Sequence, residues 1–193
     1  MRTYIFVVLS LLLLNTSFIF SQEQTKSEAK AAKKEAKAKA KQERAAYDKM
    51  LYEKAVEALD SSEFVLEADM IYLKRGDSFP VSSIINFISV NGDKAVVQIA
   101  SNSSMGGPNQ MGGVTVEGYV RNLEITKDKK GSIKLQMDVS GIAITAKVEI
   151  MLFGNSNRAE ATIYPTFNSR RMTMVGQLTP LKESNIYKSG FSY

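Results

Sequence analysis

The 193-residue chain contains no cysteine, no histidine and no tryptophan. Each absence removes a class of function. Without cysteine there is no disulfide and no lipidated cysteine anchor, so stability has to come from a packed core. Without histidine and cysteine the Ser-His-Asp and Cys-His arrangements are excluded. So are imidazole general-base chemistry and ordinary zinc, haem or iron–sulfur ligation. Without tryptophan there is no flat indole platform for sugar stacking. No GxGxxG occurs. Gly107 to Gly113 ends in Gly-Val where a phosphate loop needs Gly-Lys followed by Ser or Thr. These exclusions imply no catalytic residue, no metal and no cofactor, and a chain that is not an enzyme.

What is present falls into three zones. Arg2 opens a short basic segment, Tyr4 to Leu14 is an almost continuous apolar run, and Asn15 to Ser21 is a more polar exit. That is the anatomy of a secretory signal peptide, with an apolar core short of the ~20 residues of a comfortable membrane span. Cleavage is expected at Ser21/Gln22. Ile19 is a less usual residue three positions before the cut, so retention as a membrane anchor is the alternative. Residues 1–21 are thus the signal, 22–60 a helical arm and 61–193 a β-domain with a C-terminal tail.

The arm begins as a charged, alanine-rich stretch. Lys26 to Arg44 holds eight basic and three acidic residues, a net +5 that equals the net charge of the whole chain. Ala, Lys, Glu and Gln all favour helix, and Glu35 to Lys39 is a well-oriented i,i+4 pair. With no large apolar side chain this half has nothing to bury. From Tyr47 the character changes. Tyr47, Leu51, Tyr52, Ala55, Val56, Ala58 and Leu59 share one half of the helical wheel, which predicts a docking face ending at Asp60-Ser61-Ser62.

From Glu63 the period becomes two. Strands are expected over Phe64 to Leu73, Ile84 to Val90, Ala95 to Ser101, Val114 to Ile125, Ser132 to Ser140, Ile142 to Phe153, Ala159 to Tyr164 and Met172 to Leu178. Short separators imply antiparallel neighbours. The fold class is therefore an all-β antiparallel barrel, half-barrel or sandwich of about eight strands behind a long charged helix. The Ser140-Gly141 pair reads as a two-residue turn pairing Val139 with Ile142 and Met137 with Ile144. Ile133, Leu135, Met137 and Val139 then face the core, while Lys134 and Gln136 face water. Glu117, Asp138, Glu149 and Glu160 fall on polar strand faces and read as solvated. Asn91 and Asp93 read as hairpin-turn residues. Beyond Leu181, Ile186, Tyr187 and Phe191 are available to lie against the barrel.

The β-domain is organised around Ser104 to Val120, which holds five of the twelve glycines. Gly107-Pro108-Asn109-Gln110 suits a type I turn, and Gly112 and Gly113 can take positive φ. Gly118 interrupts a strand, which marks a bulge, a barrel corner or a close approach. If a ligand mouth exists it lies here, with Gly107, Asn109, Gly112, Gly113, Glu117 and Gly118 as candidate contacts.

The segments FVLEAD, INFISVNGDKAVVQI, GPNQMGGVTVEGYVRN, GQLTP and SNIYKSG resemble a family of exported Gram-negative bacterial proteins known as domain of unknown function 4251. The likeness covers Ser62 to Gly190 and is most specific at Gly107 to Gly118, where Gln110 replaces an expected small residue. The resemblance implies secretion and a β-rich domain, and no activity. The Lys/Ala arm lies outside it.

Three function classes stay open. One is a periplasmic binding or envelope-associated module for an apolar small ligand. Another is a structural or interaction protein with the helix as spacer, coiled-coil partner or docking arm. The third is a small outer-membrane β-barrel, whose alternation is the same pattern inside out. In the periplasm or envelope the anionic partners are lipopolysaccharide, phospholipid head groups or cell-wall polymers rather than nucleic acid. Lys30, Lys33, Lys34, Lys37 and Lys41 are the residues to meet such a surface. If the leader is removed, intact-mass measurement on protein from the cell envelope should show the loss of about 21 residues. An uncleaved chain in the membrane fraction would refute that.

Overall fold

The computed structural model describes residues 2–100, 113–142, 145–166 and 171–187. Side chains are described from residue 29 onward within those ranges, apart from 113 and 114. The chain divides into two compact units, Met1–Ala46 and Tyr47–Tyr193. A single helix, α1 (Arg2–Asp60), runs through the first and into the second. Residues 29–46 are exposed along their whole length, as expected of a helix with only alanine and long charged side chains. The helix stops where the Ser61 and Ser62 N–H groups bond back to Glu57 and Leu59 carbonyls at 3.0 and 3.1 Å. Ser62 then takes φ +55, the left-handed turn that releases the chain into a strand.

Nine strands follow: β1 (Glu63–Leu73), β2 (Ser78–Pro80), β3 (Phe87–Asn91), β4 (Lys94–Ala100), β5 (Gly113–Lys127), β6 (Ile133–Gly141), β7 (Thr145–Leu152), β8 (Arg158–Pro165) and β9 (Met172–Pro180). All pairings are antiparallel, in the order β1-β3-β4-β5-β6-β7-β8-β9, and β9 returns to pair with β1. Eight strands thus close a meander barrel, with β2 added to the side of β1. The barrel alternative among the expected architectures is the one adopted. Only β2 was absent from the strands read in the sequence; three residues are too few to show a period. The Ile84 strand start also moves, since Ile84 is half exposed and β3 begins at Phe87.

Alternation drives the barrel. Ile133, Leu135, Met137 and Val139 on β6, and Ala146, Val148, Ile150 and Leu152 on β7, are each at most 3% exposed. They belong to one contiguous cluster with Phe64, Leu66, Ile71, Ile88, Met174 and Leu178. Ala55, Ala58 and Leu59 of α1 join the same cluster, with Tyr52 and Val56 against it. The last turns of the helix therefore cover the barrel end from which β1 starts. There the Tyr52 hydroxyl donates to the Gly131 carbonyl in the β5–β6 turn. Full burial of a side chain such as Leu59 stabilises by roughly 1.5–3 kcal/mol, whereas the exposed Lys54–Glu183 ion pair contributes at most about 1 kcal/mol. The docking face is narrower than the wheel implied: Tyr47 is 57% exposed, because the covered surface begins one turn later.

A smaller cluster lies outside the barrel wall. Val65, Phe87 and Val96 point outward and are covered by Leu181 and Ile186 of the tail. The Tyr187 N–H donates to the Ile84 carbonyl at 2.8 Å, and Gln98 Nε2 donates to the Tyr187 carbonyl at 3.1 Å. The tail docks as expected, except that Tyr187 itself is mostly exposed and Phe191 lies outside the described residues.

The β6–β7 register differs from the two-residue reading. Val139 pairs with Ala146, Met137 with Val148, Leu135 with Ile150 and Ile133 with Leu152. Ser140 pairs with Thr145, so four residues rather than two separate the paired ends. An even shift keeps every core side chain inside, so the face assignment survives. It also replaces Lys134 opposite Lys147 by Asp138 opposite Lys147, turning a like-charge pair into an opposite one. Glu149 sits between Lys147 Nζ at 3.0 Å and Lys134 Nζ at 4.0 Å. The hydrogen bond and charge of Glu149 raise the Lys147 pKa above its ordinary value. Met137→Lys should destabilise by roughly 3 kcal/mol or more, a fall of roughly 6–12 °C in Tm. Gln136→Lys, on the solvated side beside Glu149, should leave the melt nearly unchanged. Equal effects in thermal melts would overturn the face assignment.

Candidate functional site

The site grows from an asymmetry in β5. Its first part, Gly113 to Tyr119, pairs with β4, and its later part, Gly118 to Lys127, pairs with β6. The two ladders overlap only at Gly118 and Tyr119. Gly118 lies between Ala95 and Gly141, and a Cβ there would stand 2.2 Å from the Ser140 carbonyl oxygen and 2.6 Å from the Gly141 nitrogen. Close approach therefore requires this glycine. Its φ lies outside the left-handed region, so of the readings open for Gly118 the close approach is the one the structure bears out.

Where β6 leaves β5 at this corner, a groove of about 440 Å³ opens. Lys94, Glu117, Gly118, Tyr119, Ser140, Gly141 and Ile142 line it. Lys94, Tyr119 and Ser140 form one row across three strands. Tyr119 is 55% exposed and Ile142 fully exposed. The groove thus combines two large apolar surfaces with one cation, one anion and a hydroxyl. Its volume lies in the range of small-molecule sites, about 300–1,000 Å³.

Of the residues singled out in the sequence, Glu117 and Gly118 meet in this groove. Gly113 opens β5 opposite Ala100. Gly107, Asn109 and Gly112 lie outside the described residues. Lys94, Tyr119, Ser140 and Ile142 were missed. Tyr119 was signalled, since it follows Gly118 on the polar face of its strand and is too large to be there for solubility. Ile142 was not, because a two-residue turn would have sent it inward.

The basic helix residues are a separate feature. Lys30, Lys33, Lys34, Lys37 and Lys41 are all exposed. At 3.6 residues per turn they fall, with Arg44, within about 100° of arc. Glu35 and Glu43 lie outside that arc, so the net charge is presented as a stripe.

Other polar groups have structural partners. Asp138 accepts from Asn122 Nδ2 at 2.8 Å and Glu149 from Gln136 Nε2 at 3.2 Å. The buried Asn86 carboxamide donates to the Ser82 carbonyl at 3.0 Å and accepts from the Ala100 N–H at 2.8 Å. The Asn86 bonds tie the loop before β3 to the end of β4.

Comparison with known proteins gives two findings. The family model described as "Domain of unknown function (DUF4251)" matches residues 46–178. The crystal structure of a DUF4251 family protein from Bacteroides eggerthii DSM 20697 is similar to this chain at 40% identity and a TM-score of 0.68, covering 77% of this chain and 99% of that one. No curated protein matches.

The corner geometry has a direct test. Gly118→Ala should lower stability by about 1–3 kcal/mol or more, because its Cβ would meet backbone that cannot swing away. Gly92→Ala, at φ +61 with nothing within 4 Å, should cost only about 1 kcal/mol. A larger loss at Gly92 in chemical denaturation would contradict the close-approach account.

Proposed function

The chain belongs to the DUF4251 family, whose description assigns no activity, and on that premise we propose that it is an exported, non-catalytic β-barrel module of the cell envelope that binds an amphipathic small ligand in the groove at Gly118. The observation that carries this reading is the composition of the groove. Tyr119 and Ile142 offer apolar surface to a chain or ring, and Lys94 and Glu117 offer opposite charges to a zwitterionic head. Exposed large apolar side chains lining a concave surface favour a ligand over bare solvent.

Two further features support the reading. The barrel interior is occupied by its own side chains and by the end of α1, which directs a ligand to the wall rather than the lumen. The outward faces carry Lys134, Asp138, Lys147, Glu149, Arg158 and Glu160, a charged exterior that suits water and disfavours the small outer-membrane barrel, which needs an apolar band. Export rests on the apolar run Tyr4 to Leu14 and its polar exit. The basic stripe of α1 would hold the module near anionic head groups, an attraction weakened by salt.

Calorimetric titration with lysophosphatidylethanolamine below its micellar concentration tests the groove. Saturable binding is expected. Tyr119→Ala or Ile142→Ser should raise Kd about tenfold, about 1.4 kcal/mol, without moving the melt. No binding, or binding indifferent to both substitutions, would overturn the reading.

A further inference from the structure

A second surface arises from the same asymmetry of β5, on the other side of the strand. β4 begins at Lys94, opposite Tyr119, and the last bond across that seam runs from the Val120 N–H to the Asp93 carbonyl at 2.7 Å. From Arg121 to Lys127, β5 is held by β6 alone. Among the described residues no strand meets its other edge. All seven residues are exposed, Leu123 at 38% and Ile125 at 39%. An otherwise closed barrel thus carries an open strand edge of about 23 Å, at ~3.3 Å per residue. A row of free backbone donors and acceptors beside exposed apolar side chains is a template for a further strand.

The charges say which strand. Arg121 and Lys127 flank Glu124 at equal spacing. A second copy pairing antiparallel in full overlap would set Arg121 against Lys127 and Glu124 against its own copy, with like charges opposed throughout. A complementary strand would carry acids at both ends, a base at its centre, and apolar residues opposite Leu123 and Ile125. The turn beyond the edge adds Lys129 and Lys130, which increases the pull on acidic ends. The Asn122–Leu123 bulge, at Asn122 φ +52, twists the edge and limits indiscriminate pairing.

We propose that the Arg121–Lys127 edge of β5 is a strand-addition site for an extended peptide segment of a partner protein, with an acid–apolar–base–apolar–acid pattern. The site is distinct from the Gly118 groove and does not depend on what that groove binds.

The full chain is the test object, and its probe is a synthetic heptapeptide, Glu-Thr-Val-Lys-Val-Thr-Glu, antiparallel-complementary to the edge. Amide hydrogen exchange is read across Arg121–Lys127. With the peptide about ten times above its Kd, edge amides that bond to it should exchange about tenfold more slowly. The charge-reversed peptide Lys-Thr-Val-Glu-Val-Thr-Lys should give little protection. Glu124→Lys, a change at an exposed position that leaves the melt in place, should abolish protection by the first peptide. Tyr119→Ala should leave it intact, which separates this site from the groove. Equal protection by both peptides, no protection by either at millimolar concentration, or concentration-dependent self-association protecting the same amides would each overturn the proposal.

Discussion

The barrel depends on the seam between its first and last strands. β1 pairs with β3 along one edge and with β9 along the other, and the β9 ladder joins Phe64 with Pro180 at one end and Leu73 with Met172 at the other. Without that return, β9 would present a whole free edge and the core would open at its side. The seam closes because β1 bulges between Ala68 and Met70 and because Gly176 has no side chain. A Cβ there would stand 1.9 Å from the Glu67 carbonyl oxygen. Asp69, in the bulge, is tied across the seam by Arg158 on β8, with Nη2 to Oδ1 at 3.2 Å. Curvature in a small barrel has to be taken up at a few points, and bulges and glycines supply it at least cost.

Gly118 is the second such point, and its consequences reach function. Ser140 and Gly141 pack closely on Gly118, and the groove opens at this corner, where β6 ends against β5. The same strand runs past β4 on the other side, and among the described residues no strand covers its edge. Both candidate surfaces therefore follow from one long strand shared between two shorter partners. The helix has a different part. Its last turns supply Ala55, Ala58 and Leu59 to the core, while residues 29–46 contribute no buried side chain to anything described.

The polar exterior is arranged by local pairing. Asp138, Lys147, Glu149 and Lys134 interleave across β6 and β7, exposed enough that each contact is worth little alone. Their weight lies in register: an odd slip would bury them, and the two-residue turn would oppose two lysines.

The sequence by itself determined what chemistry is excluded, the β-rich class, the apolar face in the last turns of the helix, and the inward set Ile133, Leu135, Met137 and Val139. These follow from composition and from a period that depends only on the backbone. Tertiary structure decided closure of the sheet, the four-residue loop after Ser140 and the outward turn of Ile142. It also decided why Gly118 is a glycine. Periodicity states which face a residue takes and is blind to shifts of two or four, so register had to be settled by neighbours across the sheet. A glycine needed for positive φ and one needed for close approach look identical in a sequence, and only the atom standing 2.2 Å from the absent Cβ tells them apart.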